Sequence, residues 1–370
     1  MKKEVMATSL IMFGLSIPQA KASVTLYGIV DAGVVYQKVD GTWNGADYSA
    51  RNSGFISGGQ SAGRWGIKGA ENLGNGIRAV FQLESGFDIG DGKSTQGNRL
   101  FGRHATVGLK SQEWGQLDLG RQTNMASKYG NSTVDPFLGG FKQSAVGSSF
   151  SAMGTVRYDN MAMYRTPTIA GFQFGIGYSF AIDGEQNWGL NDANTKNDRA
   201  ITTGIKYARG PLAMFAAYDQ INLGEADSKF TAWSLGASYD LDVVKLSMAF
   251  GQTKDGWFAG RNYGPLGTGT FVSAEGLKVN SYMVGVVAPL GNGSIRASWQ
   301  MADPTHGANA SASGAFVGDN LSSQQVLSLG YTYSISKRTS VYAYGSYAKH
   351  VLLQDDLTST LFSAGLRHTF

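Results

Sequence analysis

Along much of the chain, apolar and polar residues alternate with a period of two. Trp233, Leu235, Ala237 and Tyr239 stand opposite Ser234, Gly236, Ser238 and Asp240. Val244, Leu246, Met248 and Phe250 oppose Lys245, Ser247, Ala249 and Gly251, and Leu327, Leu329, Tyr331 and Tyr333 oppose Ser328, Gly330, Thr332 and Ser334. A β-strand points successive side chains to opposite faces, so each segment offers one face to an apolar medium and one to water. A soluble sandwich gives the same signal, so alternation by itself selects only an all-β fold. The polar faces hold many Gly and Ser, which suits a crowded or ligand-lined interior.

Sixteen such segments are expected, at 24–36, 63–71, 77–88, 99–110, 116–121, 158–165, 172–181, 199–209, 212–221, 230–240, 243–253, 277–288, 294–302, 321–334, 339–349 and 358–370. Short joins rich in turn or polar residues (Asn72–Gly76, Ser111–Gly115, Gly210-Pro211, Leu241-Asp242, Ser336–Arg338) alternate with long ones at 37–62, 122–157, 182–198, 254–276 and 303–320. This puts the tight turns at one end and the long loops at the other. A transmembrane antiparallel barrel has that layout, with an even strand count, and a Greek-key sandwich gives no reason for it. Tyr and Trp gather near segment ends (Tyr27, Tyr36, Trp65, Trp114, Tyr164, Tyr178, Tyr331, Tyr333), as interfacial girdles would. The last segment runs to Phe370 and can pair with the first, closing the sheet so that no strand edge is left unpaired in lipid.

Composition narrows the picture further. The 370 residues are 16% charged, with 51 Gly, no Cys and a net charge of +4, so a disulfide framework, a thiolate metal site and a basic nucleic-acid stripe are all excluded. Lys2 and Lys3 precede an apolar run from Val5 to Ile17, followed by Pro18 and the small-residue pattern Ala20-Lys21-Ala22. Residues 1–22 therefore read as an export signal, with the mature chain starting near Ser23 as a single domain, 23–370. The segment carries three Lys and one Glu, so its removal leaves a net charge of +2. After Ser23 no stretch approaches the ~18 apolar residues of a membrane helix.

A set of short motifs, taken in order, resembles a known family. They are Ser23-Val24-Thr25-Leu26-Tyr27-Gly28, Arg64-Trp65-Gly66-Ile67-Lys68-Gly69 with Glu71-Asn72-Leu73-Gly74, and Phe81-Gln82-Leu83-Glu84-Ser85-Gly86-Phe87. Val107-Gly108-Leu109, Gly120-Arg121-Gln122, Arg157-Tyr158-Asp159-Asn160, Ser336-Lys337-Arg338-Thr339 and the ending Gly365-Leu366-Arg367-His368-Thr369-Phe370 continue the series. Together they resemble the Gram-negative outer-membrane general diffusion porins of the Burkholderia, Bordetella and Neisseria type. The resemblance implies a 16-stranded barrel in the outer membrane, a homotrimer among lipid and lipopolysaccharide, and a third outer loop folded inward. That loop is 122–157, and Asp135-Pro136-Phe137-Leu138-Gly139-Gly140 resembles its tip; without the family pattern the same residues read as an ordinary turn.

Parity then assigns a pore lining. Arg64 and Lys68 face inward opposite Trp65 and Ile67; Arg78, Gln82 and Glu84 oppose Ala79, Phe81 and Leu83; Arg157, Asp159 and Arg165 share a face. Arg103 fits the alternation poorly, because Val107 and Leu109 would share its face. The resemblance implies that Arg64, Arg103 and Arg165 form a basic wall facing the loop, with Glu84 as an acidic partner. Arg78 and Arg157 read equally well as ion-pair partners of carboxylates. Residues 122–156 hold one acid, Asp135, against two bases, Lys128 and Lys142. Charged rings select ions in narrow aqueous pores, so this balance predicts anion preference.

Other chemistry is weaker. Gly59-Gln60-Ser61-Ala62-Gly63 fits a nucleophile-elbow pattern but is followed by a strand, where the elbow needs a helix. Gly90-Asp91-Gly92-Lys93-Ser94 lacks the first Gly of a phosphate loop, Phe87 standing there. The four histidines are scattered, and the acids of Asp183–Asp198 lack calcium-loop register. Neither a cofactor nor catalysis is expected. A substrate-specific porin, with Tyr27, Tyr342 and Tyr344 along its path, is the main alternative; a barrel enzyme is the lesser one.

Overall fold

The computed structural model describes residues 23–43, 45–188, 196–224, 228–311, 316–318 and 320–370, so the expected export signal lies outside the described residues. Sixteen strands build the wall: β1 Ser23–Trp43, β2 Arg64–Gly74, β3 Ile77–Gly86, β4 His104–Ser111, β5 Gly115–Thr123, β6 Met161–Arg165, β7 Phe172–Ser179 and β8 Arg199–Arg209. The second half is β9 Leu212–Leu223, β10 Ser228–Asp240, β11 Lys245–Trp257, β12 Val272–Leu290, β13 Gly293–His306, β14 Gln324–Ser334, β15 Thr339–Lys349 and β16 Thr358–Thr369.

Each strand pairs antiparallel with the next, and β1 closes on β16 from Ile29 opposite Thr369 to Asp40 opposite Thr358. Two further bonds finish the seam: Gly28 N–H donates to the Phe370 carbonyl and Phe370 N–H to that of Gly28, each at 3.1 Å. The backbone partners that a membrane demands are thus supplied within the sheet.

The two faces are inverted relative to a water-soluble protein. Leu327 and Leu329 are each 60% exposed on the outside, whereas Ser328 between them is 2% exposed on the inside. The same contrast runs through Leu246 and Met248 against Ser247, and through Phe362 and Leu366 against Ser363. An apolar band of this extent is stable only against lipid.

Three expected boundaries need correction. Residues 37–62 are mostly wall, because β1 runs to Trp43 and an arm, Ala46–Ser57, pairs back along it. Most of the arm is exposed, while Val39, Trp43 and Tyr48 pack on an apolar cluster with Tyr263, Val326 and Leu352, so its residues lack the hydrophobic alternation that marks the rest. Lys254–Trp257 and Val272–Gly276 likewise extend β11 and β12, around a small hairpin of Arg261–Tyr263 and Leu266–Thr268. Finally, the connection 224–227 after β9 is as short as the turns at the opposite end, so the short–long alternation has one exception.

The G-x-S-x-G segment sits in the break between the arm and β2. It bulges inward, with Ser61 N–H bound to the Asp31 carboxylate at 2.6 Å and Arg367 Nε donating to Ser61 Oγ at 3.1 Å. Strand β2 follows it directly.

Residues 124–160 lie against inward-facing side chains of the wall. At the root, buried Asn124 donates to Asp219 of β9 at 2.9 Å and Met125 N–H to Thr202 of β8 at 2.8 Å. A π-helical turn, Ala126–Gly130, leads into helix α1, Asn131–Val134. Beyond it the segment crosses to the far wall, where Arg296 donates to the Pro136 carbonyl and Phe137 and Phe141 pack on Tyr342 and Tyr344. Gln300, Gln324 and Ser281 then bind carbonyls of Ser144, Ser148 and Ser149.

Candidate functional site

The loop occupies the side of the bore formed by β8–β16 and leaves a gap toward β2–β4. A cavity of about 510 Å³ fills that gap, with Arg64, Arg103 and Arg157 on one side and Lys128, Asn131 and Gly139 on the other. The three arginines reach it by different routes. Arg64 begins β2, Arg103 immediately precedes β4, and Arg157 closes the loop, its Nε donating to the Arg103 carbonyl at 2.9 Å. Because β4 starts at His104, its alternation does not bind Arg103, which accounts for the poor parity seen in the sequence.

Glu84 is the acid of this wall. It accepts from Arg103 Nε at 2.7 Å and from Tyr27 Oη at 2.9 Å, so the Arg103 charge is largely matched. Arg64, Lys128 and Arg157 have no ion pair among the described residues. Asp135 does not offset them. It is 4% exposed, and its carboxylate receives the amides of Phe137, Gly139 and Val146, at 2.9, 2.8 and 3.1 Å. Burial pushes its pKa up to about 6, while the three amides and Arg296 pull it down. The acid expected on the loop thus folds the loop tip and turns away from the opening.

Four predicted residues lie elsewhere. Lys68 and Arg165 line a second chamber of about 370 Å³ on the short-turn side, shared with His104, Lys110, Asp118 and Lys128. Lys68 rests over the Tyr27 ring, 5.1 Å from its centroid, and Arg165 pairs with Asp118 at 2.8 Å. Arg78 stands at the short-turn rim opposite Asn72 and Lys110, away from the opening. Asp159, placed by parity beside Arg157 and Arg165, instead holds Arg99 (2.7 Å) and Arg121, and Arg99 also binds Asp183 at 2.6 Å. Arg99 and Arg121 line the outer vestibule. No sequence signal singled them out, because their carboxylate lies 60 and 38 residues away.

Among the described residues, Lys128 is the one titratable group that lines both chambers. Burial first, and then the Arg165 charge, lower its pKa to about 8, against the opposing pull of Asp118. Tyr342 and Tyr344 are covered by the loop tip, so they form no ladder along the open path.

A closed barrel of sixteen strands, apolar outside and polar within, with one connection laid across its bore, points to the family. Residues 7–350 match the family described as Gram-negative porin. The chain belongs to that family. It is 48% identical to an outer membrane porin protein of Bordetella pertussis over the full length of both chains. It is 30% identical to outer membrane porin protein 32 of Delftia acidovorans, covering 95% of this chain and 90% of that one. Among solved structures, the anion-selective porin from Comamonas acidovorans superposes with a TM-score of 0.71 at 28% identity, over 95% of this chain and all of that one. This porin is therefore a channel of the outer membrane, with its short turns on the periplasmic side.

Proposed function

We propose that the porin is a general diffusion channel that favours anions, narrowed where residues 122–157 approach Arg64, Arg103 and Arg157. The observation that carries this reading is the uncompensated charge at the gap. Arg64 and Arg157 stand on the wall side and Lys128 on the loop side, and the single loop acid is tied to amides. At an effective dielectric between water and ~20, a charge about 4 Å from a passing ion is worth about 1–4 kcal/mol. Two or three such charges of one sign therefore bias permeation strongly. The similar Comamonas acidovorans porin is anion-selective, which supports the same sign.

The mature channel starts at Ser23 after removal of 1–22, and it assembles as a homotrimer surrounded by lipid and lipopolysaccharide. One solved structure of the same fold, OmpT of Vibrio cholerae, is described as a trimer form, with a TM-score of 0.61 at 14% identity. Terminal sequencing of the membrane-extracted protein and its mass in mild detergent test both points.

Liposome swelling tests the transport reading. Rates falling smoothly with sugar size, and faster for anionic than for size-matched cationic solutes, are expected. Saturation by one sugar would favour a substrate-specific porin, and faster cations would overturn the anion assignment.

A further inference from the structure

The periplasmic end of the bore carries a feature that ion selection at the gap does not require. Strand register places Arg78 directly opposite Lys110, Lys110 opposite Gln116, and Gln116 opposite Arg165, in one row across β3, β4, β5 and β6. All four have the parity of inward residues, since Ala79, Leu109 and Leu117 point outward between them. Like charges directly opposite each other on neighbouring strands destabilise a sheet. Here the nearby acid does not relieve them. Asp118 is taken by Arg165 at 2.8 Å and by Gln116 at 2.8 and 3.0 Å, which leaves Arg78 and Lys110 without an ion pair among the described residues.

The chamber above this row adds Lys68 and Lys128, neither of which has an ion pair among the described residues, and the neutral donors Thr25, Gln82 and Thr106. Lys68 is level with Gln82 on β3 and Thr106 on β4, whereas Lys110 is level with Arg78, so the cations sit at two levels. Strands lie about 4.8 Å apart and rise about 3.3 Å per residue, so Lys68 on β2 and Lys110 on β4, two strands across and four residues along, start from backbones roughly 16 Å apart. Long flexible ammonium arms at that separation suit an anion whose charges are themselves separated, more than a compact monovalent ion.

We propose that this periplasmic chamber is a second anion site, which holds small dicarboxylates through Lys68, Lys110 and Lys128 as they leave or enter the gap. The proposal rests on the anion-preferring reading above and adds a ligand class and a place. A bound dianion would neutralise Lys68, Lys110 and Lys128, which line this one chamber.

The test uses the intact channel in planar bilayers, with potassium succinate and potassium acetate as probes at matched charge. Succinate should interrupt the chloride current with dwell times several-fold longer than acetate. Lys110→Gln should shorten the succinate dwell roughly fivefold, the effect of about 1 kcal/mol from one exposed charge, and Lys110→Glu should shorten it further. Lys110 makes no ion pair and is exposed, so both variants should fold; a detergent melting curve that rises with succinate in the parent but not in Lys110→Glu gives a second readout. Equal dwell times for succinate and acetate, or a succinate dwell unchanged in both variants, would overturn the site while leaving the anion preference standing. A parent channel that prefers potassium would overturn the anion reading itself, and the site with it.

Discussion

Asn124 and Asp219 meet at 2.9 Å across 95 residues of chain, and this contact fixes where the inward segment leaves the wall. Asp219 is fully buried on the inner face of β9, and it also accepts from the Tyr158 hydroxyl at 3.5 Å. Asn124 in turn receives Ser127 N–H, and Ser127 Oγ receives Val156 N–H, so both ends of the segment hang on one carboxylate. The position of the gap is therefore a consequence of a wall residue far from it in sequence.

Replacing Asp219 with Ala should loosen the segment and leave the barrel closed. The Asn124 amide would lose a buried partner, at a cost of about 1–3 kcal/mol. Trypsin should then cut after Lys128 or Lys142 in detergent, and single-channel records should flicker. A variant as protease-resistant and as quiet as the parent would show that the root is held by other contacts.

The seam offers a second test. A Cβ on Gly28 would lie 2.3 Å from the Phe370 ring and 2.7 Å from the Arg64 carbonyl. Gly28→Val should therefore displace the terminal residue and weaken the β1–β16 closure, by about 1–3 kcal/mol in line with other overpacked sites. The expected outcome is a lower temperature for loss of the compact band on unheated gels. An unchanged transition would mean that the seam tolerates the added methyl groups.

Much of this wall could be read from the sequence, because lipid outside and water inside impose opposite demands on neighbouring residues. Leu327, Ser328 and Leu329 show the rule in three positions, and all sixteen expected segments overlap a strand. The rule fails where its cause is absent: most of the arm is exposed, and Val39 and Trp43 pack on an apolar cluster within the protein and not on lipid, so this hairpin shows no regular alternation. Parity also gives a face without a level. Arg78 and Glu84 share a face of β3 but lie six positions apart, roughly 20 Å along a strand, so only Glu84 reaches the gap. The pairing of Asp159 with Arg99 and Arg121, and the turning away of Asp135, depend on how loops fold in space, which alternation does not encode.

Selectivity should respond to pH through Lys128. With a pKa of about 8, its ammonium is mostly present at pH 7 and mostly lost by pH 9, whereas an ordinary exposed lysine would keep its charge. Its charged surroundings are Arg165 and Asp118, with Lys68, His104 and Lys110 in the chamber below and Arg64, Arg103 and Arg157 at the gap. Deprotonation removes one cation of that set, so the anion preference should weaken between pH 7 and 9. In Lys128→Gln it should be weaker at pH 7 and flat over this interval. The same decline in the variant would assign the effect to another group.

The arginines at the gap should differ in weight. Arg103 is matched by Glu84, whereas Arg64 and Arg157 are not. Arg64→Ala and Arg157→Ala should each lower the chloride-to-potassium permeability ratio roughly fivefold, the equivalent of about 1 kcal/mol. Arg103→Ala should instead free Glu84, placing an unpaired carboxylate at the opening and costing more anion preference than either. Three equal losses would argue against this division of roles.

The most direct measurement is the zero-current potential of the reconstituted parent channel across a tenfold KCl gradient at pH 7. Excess positive charge at Arg64, Lys128 and Arg157 predicts a potential displaced toward the chloride equilibrium value. A potential displaced toward that of potassium would contradict the account.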